Sequence, residues 1–267
     1  MGRIAKNHGS GLSGADRAES EHMPVPAVGR TFDILNLLAN SGEPLSLREI
    51  HTRLALPKTS VFSILNSLQM CGIVTKQPNG TYAPGMRLYT LGMAVRMETE
   101  RSRIFLPRLE ALRDQTGCTI FLSLLDDGEL VVWEKVEGHE AVYFKAYVGE
   151  RKRLNTSSAG KAIAAYLSDE DLDYALSKGM DALTEKTITD PEALRRDLVQ
   201  TRERGYAIDD EEGQLGIYCI GVPVFDGQGK VFGAVSISTL KSDLLLERVE
   251  TYIGQIQRAA KDLSRLC

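Results

Sequence analysis

The sequence predicts an α+β chain in two domains, and three observations carry that prediction. At 267 residues the chain exceeds one average domain, and each part is long enough to bury a core of its own. Its early part shows helical apolar spacing followed by a hairpin signal. The remainder alternates hairpin signals with helical ones, the order of one antiparallel sheet flanked by helices.

Residues 1–26 are rich in glycine, serine and charge and hold no aromatic residue, so they predict a flexible tail that cannot offset its ordering entropy. From Val28 the apolar positions Phe32, Leu35, Leu38 and Ala39 recur at helical spacing until Asn40, Ser41 and Gly42 stop them. A second helix opens at Ser46, with Glu49 placed to complete a capping box. Leu56 and Pro57 turn into a third, with Pro57 suited to its first position and Gly72 to its end. Residues 73–85 then read as two short strands around Pro78, Asn79 and Gly80. Three helices and a hairpin are the order of a winged helix-turn-helix.

A connecting helix is predicted over 88–104, with Gly92 as a weak point, and a further helix ends at Gly117. Strands follow over 119–125 and 129–136 around an Asp-Asp-Gly turn, and another over 141–149. Residues 157–167 read as a helix opened by serine. Residues 190–205 read as another, with Asp190 as cap, Pro191 first and Gly205 as stop. A second hairpin spans 215–238 around Asp226 to Gly229, and a long helix from about Asp243 closes the chain.

Charge divides the chain. Residues 28–97 carry a net +4 and residues 98–267 a net −8, an asymmetry that fits either a polyanion partner for the small basic module or unequal solvated faces. In the third helix Val61, Ile64, Leu65 and Leu68 form one buried stripe. Lys58, Thr59, Phe62, Ser63 and Asn66 face outward, polar and positive at the N-terminal end, where backbone N–H groups also favour phosphate. Such a helix enters the major groove of DNA in helix-turn-helix proteins. The competing reading is a protein-binding module with a solvated face.

Other motifs are weaker. Ser158 and Lys161 have the SxxK spacing of a serine nucleophile beside a lysine base, which gives a hydrolase as one alternative. Ser157 or Ser158 capping a helix is the plainer reading. The acids at 209–212 could hold a hard cation or form a solvated turn. Cys71, Cys118, Cys219 and Cys267 are widely spaced and expected to be reduced thiols, with no metal site and no cofactor. Cys219 lies on an alternating strand, where it is either a packing thiol, a pocket wall or a redox sensor. The chain has no apolar run approaching the roughly 18 to 20 residues of a membrane span and no apolar leader core, so a cytoplasmic protein without membrane contact is expected.

AVGRTFDILNLL, SLREIHTRLALPKTSV and above all GYAIDDEEGQLGIYCIGVPVFD with AVSIS resemble the IclR family of bacterial transcriptional regulators, over about residues 27 to 266. The resemblance implies a winged helix-turn-helix DNA-binding domain over 27–87, a linker helix over 88–100 and a GAF-like effector domain over 101–267. It also implies a homodimer or homotetramer on a palindromic double-stranded operator. Arg30, Lys58 and the wing residue Lys76 would meet phosphate. Thr59, Phe62, Ser63 and Asn66 would face bases, with Ser46 and Ser60 beside them. One position departs from the family: Ser63 follows Phe62 where arginine is usual, which removes an expected contact. Ser158 and Ala159 match the helix-start positions that approach the effector, and Phe144 a strand position near them. Asp209, Ile217, Cys219, Ser236 and Ser238 match the rest of that pocket, a set that suits a small organic acid. The expected function is a ligand-responsive regulator, a repressor of a catabolic operon and not an enzyme.

Overall fold

The computed structural model describes residues 23–98, 101–139, 144, 146–243 and 246–267. The tail expected over 1–26 falls almost wholly outside them. The chain forms two compact units, residues 1–99 and 100–267. Among the described residues no helix is long and apolar enough to cross a membrane.

In the first unit α1 (Pro26–Asn40) starts on a proline, whose missing N–H would have no helical partner there. β1 (Leu45–Ser46) leads into α2 (Leu47–Leu54). The capping box forms: the Ser46 N–H donates to Glu49 Oε2 at 2.7 Å, and the Glu49 N–H donates to Ser46 Oγ at 3.3 Å. α3 (Lys58–Met70) begins after Pro57, which stands at the cap and not at the first helical position. Gly72 follows its end at φ +70°, a conformation that favours glycine. β2 (Val74–Lys76) and β3 (Thr81–Pro84) make the predicted hairpin. β1 adds a strand that sequence reading missed, pairing Leu45 with Tyr82. Ile34, Ile50, Val61, Leu65 and Tyr82 fill the core beneath, and each large apolar side chain so buried stabilises the unit by about 1.5 to 3 kcal/mol.

The predicted connecting helix is helical wherever it is described. α4 (Met86–Glu98) runs through Gly92 without a break, and α5 (Arg101–Thr116) follows, with residues 99–100 outside the described part.

The second unit is built on six strands: β4 (Thr119–Asp126), β5 (Glu129–Val136), β6 (Arg151–Lys152), β7 (Ala207–Asp210), β8 (Ile217–Phe225) and β9 (Val231–Leu240). Their order is β6-β5-β4-β9-β8-β7, every pair antiparallel. Asp127 at φ +50° and Gly128 at φ +73° close the first hairpin, as a two-residue turn with both angles positive does. The strand expected over 141–149 is not seen among its described residues. Residues 140–143 and 145 lie outside the description, and Phe144, Ala146 and Tyr147 are irregular. The edge is taken instead by β6, which pairs Arg151 with Val131.

The four long strands β4, β5, β8 and β9 each serve two cores, because successive side chains point to opposite faces. On one face Ile120, Leu122, Ile220, Val222, Val235 and Ile237 pack against α5 and α9 (Leu246–Ser264). On the other, Phe121, Ile217, Cys219 and Ala234 lie under α6 (Ser158–Ala164), α7 (Asp169–Ser177) and α8 (Pro191–Arg204). α7 was not anticipated from the sequence. A register shift between Leu122 and Ser123, with Trp133 as the extra residue opposite, sends Val136 to the first core and Val132 to the second.

Candidate functional site

The outer face of α3 is set by what its inner face buries. Val61 and Leu65 are fully buried, and Ile64 and Leu68 pack partly against the same core. Lys58, Thr59, Phe62 and Ser63 are left exposed, Phe62 at 50% of its surface, and Ser60 and Asn66 are half-buried. The Phe62 ring is half in water, as single apolar side chains on a surface commonly are. Arg30 is half-buried on α1, and Ser46 is occupied as the cap of α2. Lys76 is exposed on β2, its Nζ lying 5.5 Å from the centroid of the Tyr82 ring. This contact holds a cation on the hairpin beside a ring that belongs to the core.

The eight positions expected to form a pocket converge on one face of the second sheet. Cross-strand register gives two rows. Asp209, Cys219, Ser238 and Thr119 are successive partners across β7, β8, β9 and β4, and Gly221, Ser236 and Phe121 are partners in the row beside them. Ile217 stands two residues before Cys219 on that face. Phe144 meets Phe121 edge to face at 6.3 Å, and Lys135 Nζ donates to the Phe144 carbonyl at 3.4 Å. α6 covers the rows at Gly221, where an added Cβ would lie 2.5 Å from the Ser158 carbonyl and 2.8 Å from the Ala159 nitrogen. Only glycine lets the helix start approach so closely. The cap is Ser157, whose Oγ accepts from the Gly160 N–H at 3.1 Å. Ser158 itself is a buried helical residue.

Burial governs the chemistry of these groups. It raises the Asp209 carboxyl above its usual range, although the Glu212 and Gly213 N–H groups donate to Asp209 Oδ1 at 2.7 and 3.2 Å. It pushes the Cys219 thiol well up, with the Asp209 charge adding to the effect. The Cys219 Sγ lies 3.0 Å from Ser238 Oγ. A redox-sensing cysteine needs the reverse, an accessible thiol of lowered pKa, so the structure speaks against that alternative.

The hydrolase alternative fails on Lys161. Its Nζ donates to Glu212 Oε1 at 2.6 Å and lies 3.2 Å from Asp197 Oδ2, with the side chain 1% exposed. An ammonium paired with two carboxylates cannot take a proton from Ser158. Sequence reading missed this ion pair, because Asp197 on α8 and Glu212 after β7 are brought to Lys161 only by folding. The acids at 209–212 likewise point to different partners. Asp209 caps its own turn, Asp210 meets Lys241 at 2.5 Å, Glu211 meets Lys186 and Lys241, and Glu212 meets Lys161. Among the described residues no group of three or more His, Cys, Asp or Glu is placed to hold a metal ion.

Two family profiles match the chain. One, described as the bacterial transcriptional regulator IclR C-terminal domain, covers residues 95–265, and the other, the IclR helix-turn-helix domain, covers residues 27–78. The chain is similar to the HTH-type transcriptional regulator XynR of Escherichia coli, 34% identical over 247 residues, 91% of this chain and 98% of that protein. It is 31% identical to the transcriptional repressor IclR of the same organism, over 90% of this chain and 89% of that one. Among solved structures, an IclR homologue of Microbacterium hydrocarbonoxydans complexed with 4-hydroxybenzoate matches at a TM-score of 0.76 and 25% identity, covering 90% of this chain and 98% of the other. These relatives are regulators, not enzymes.

Proposed function

The chain belongs to the IclR family of bacterial transcriptional regulators, and from that premise we propose that it represses a catabolic operon under control of a small organic acid. The observation that carries the reading is the division of α3, with Val61 and Leu65 sealed inside while Lys58, Thr59, Phe62 and Ser63 stand outside. Lys58, Arg30 and Lys76 neutralise phosphates and set the register. Thr59, Phe62, Ser63 and Asn66 meet base edges, where the Phe62 ring can lie against a thymine methyl. Two copies present two such helices to a palindromic operator.

The effector binds among Phe144, Ser158, Ala159, Asp209, Ile217, Cys219, Ser236 and Ser238 in the unit that spans residues 100–267. The relative bound to 4-hydroxybenzoate supports an organic acid there, and relatives named as repressors support repression. Control requires that the acid favour one dimer geometry over another, because a ligand shifts an equilibrium only by its differential affinity. Coupling of about 1 to 3 kcal/mol changes operator affinity by roughly 5- to 150-fold.

Titration of double-stranded fragments across a range of salt concentrations tests the reading. Lys58→Ala weakens binding to every sequence and lowers the salt slope by about one unit. An unchanged slope removes Lys58 from the phosphate contacts. Folded protein with no affinity for duplex in dilute buffer overturns the reading altogether.

A further inference from the structure

The eight effector positions include one carboxylate, Asp209, and no cation. The cations that act on Asp209, Lys161 and Lys152, are already paired with Glu212 and Asp197 and with Glu150, so an acid bound among these positions alone would bring its negative charge beside carboxylates. A cleft of about 200 Å³ at the end of the same sheet supplies what is missing. Phe144 and Ser238 line it, so it adjoins the effector positions, and Thr119, the cross-strand partner of Ser238, lies beside them. Across from these stand His139 and, from α9, Arg248 and Tyr252. Among the described residues no carboxylate lines the cleft; Asp114 Oδ1 lies 3.7 Å from His139 Nε2 without reaching its wall. The Arg248 side chain and the Cys118 thiol both act on the Tyr252 phenol, and Cys118 and Tyr252 belong to the apolar core beneath.

We propose that this cleft is the anion-selecting half of the effector site, with Arg248 as its specificity-determining residue, an inference that rests on the effector reading above. The planar guanidinium receives the carboxylate of a small acid in paired hydrogen bonds. The Thr119 and Ser238 hydroxyls meet a hydroxyl or carbonyl group further along the ligand, and the Phe144 ring closes over its apolar part. The volume is below the roughly 300 to 1,000 Å³ of pockets that take drug-sized ligands, so the ligand class is a hydroxy- or oxo-acid of few carbons or a single-ring acid. The strand residues then recognise the body of the ligand, and Arg248 distinguishes an acid from its neutral analogue.

The test is calorimetric titration of the full chain with acetate, glycolate, succinate and 4-hydroxybenzoate, and with 4-hydroxybenzamide as the uncharged analogue. It compares wild type, Arg248→Gln, Arg248→Lys and Ser238→Ala. Arg248 is exposed, so its substitution leaves the core intact. The expected result is that an acid binds wild type and is weakened about tenfold or more by Arg248→Gln, as loss of a charge-assisted contact predicts. Arg248→Lys restores part of the loss, and weak binding of the neutral amide is the same in both proteins. Acids that bind Arg248→Gln as they bind wild type overturn the inference. If Ser238→Ala weakens those same acids, the effector reading stands without it. Failure of every acid to bind wild type overturns both.

Discussion

The two faces of the six-stranded sheet are made by the same strands yet do opposite work. Toward α5 and α9, Ile120, Leu122, Ile220, Val222, Val235 and Ile237 form a continuous apolar layer. One residue along each strand, the other face carries Thr119, Cys219, Ser236 and Ser238, with Asp209 at its edge. The difference teaches that a strand period of two residues can separate stability from recognition without a separate element for either. The apolar face is held by packing. The face that carries these polar groups is held by its own apolar core under α6, α7 and α8, by the close seat of α6 on Gly221 and by the ion pair of Lys161 with Glu212 and Asp197.

Breaking that ion pair has the largest expected effect. Lys161→Ala leaves two acids partly buried without their cation, and unfolding in urea should show a loss of about 3 to 5 kcal/mol. A loss no larger than that of a surface change would mean the polar face does not depend on the pair. A second, paired experiment sets the two faces against each other on β9. Ile237→Ala empties a fully buried site and costs about 2 to 5 kcal/mol, while acid binding, corrected for the folded fraction, is retained. Ser238→Ala, one residue away, removes a hydroxyl–thiol contact of about 1 kcal/mol or less but weakens acid binding. Reversal of that pattern would end the division of labour between the faces.

The smallest effect lies at the rim. Hydrogen bonds from Lys186, the Gly216 N–H and Lys241 hold the Glu211 carboxyl down at about 2, from an ordinary value of 4.5. A depressed carboxyl contributes stability that is present above its unfolded pKa and is lost as pH falls through the folded one. Carboxyl carbon shifts followed by NMR should therefore place the Glu211 midpoint near 2 in wild type and higher in Lys186→Ala. Because the partner lysines Lys186 and Lys241 reach into solvent, which screens the pairs, overall stability should hardly change. A wild-type midpoint near 4.5 would show that the rim is not bound into the ion-pair network.

Much of this was legible in the sequence because the signals are local. Ser46 with Glu49, Asp190 with Pro191 and Gly205, and the Asn79-Gly80 turn fixed helix ends and a hairpin through contacts within a few residues. The elements missed were those decided by distant partners. The strand expected over 141–149 falls partly outside the described residues, of which Phe144 is irregular and meets the Phe121 ring edge to face. β1 is a strand only because Tyr82 and Thr81 lie opposite it. Of the candidate site, the eight effector positions came from resemblance and lie on one face. Arg248, Tyr252 and His139 stood outside it because no motif connects them to Ser238.

The sequence by itself determined the three helices and hairpin of the first unit, the two-part organisation and the face of α3 that stays in water, since capping, turn chemistry and apolar periodicity act over one or two turns of chain. Tertiary structure alone decided that Lys161 is an ion-pair partner and not a base, that Cys219 is sealed and not reactive, and that Arg248 shares a cleft with Ser238. Charge, burial and hydrogen bonding depend on which groups lie within a few ångströms in space, and chains 10 to 130 residues apart are brought that close only by the pairing of strands and the docking of helices on them.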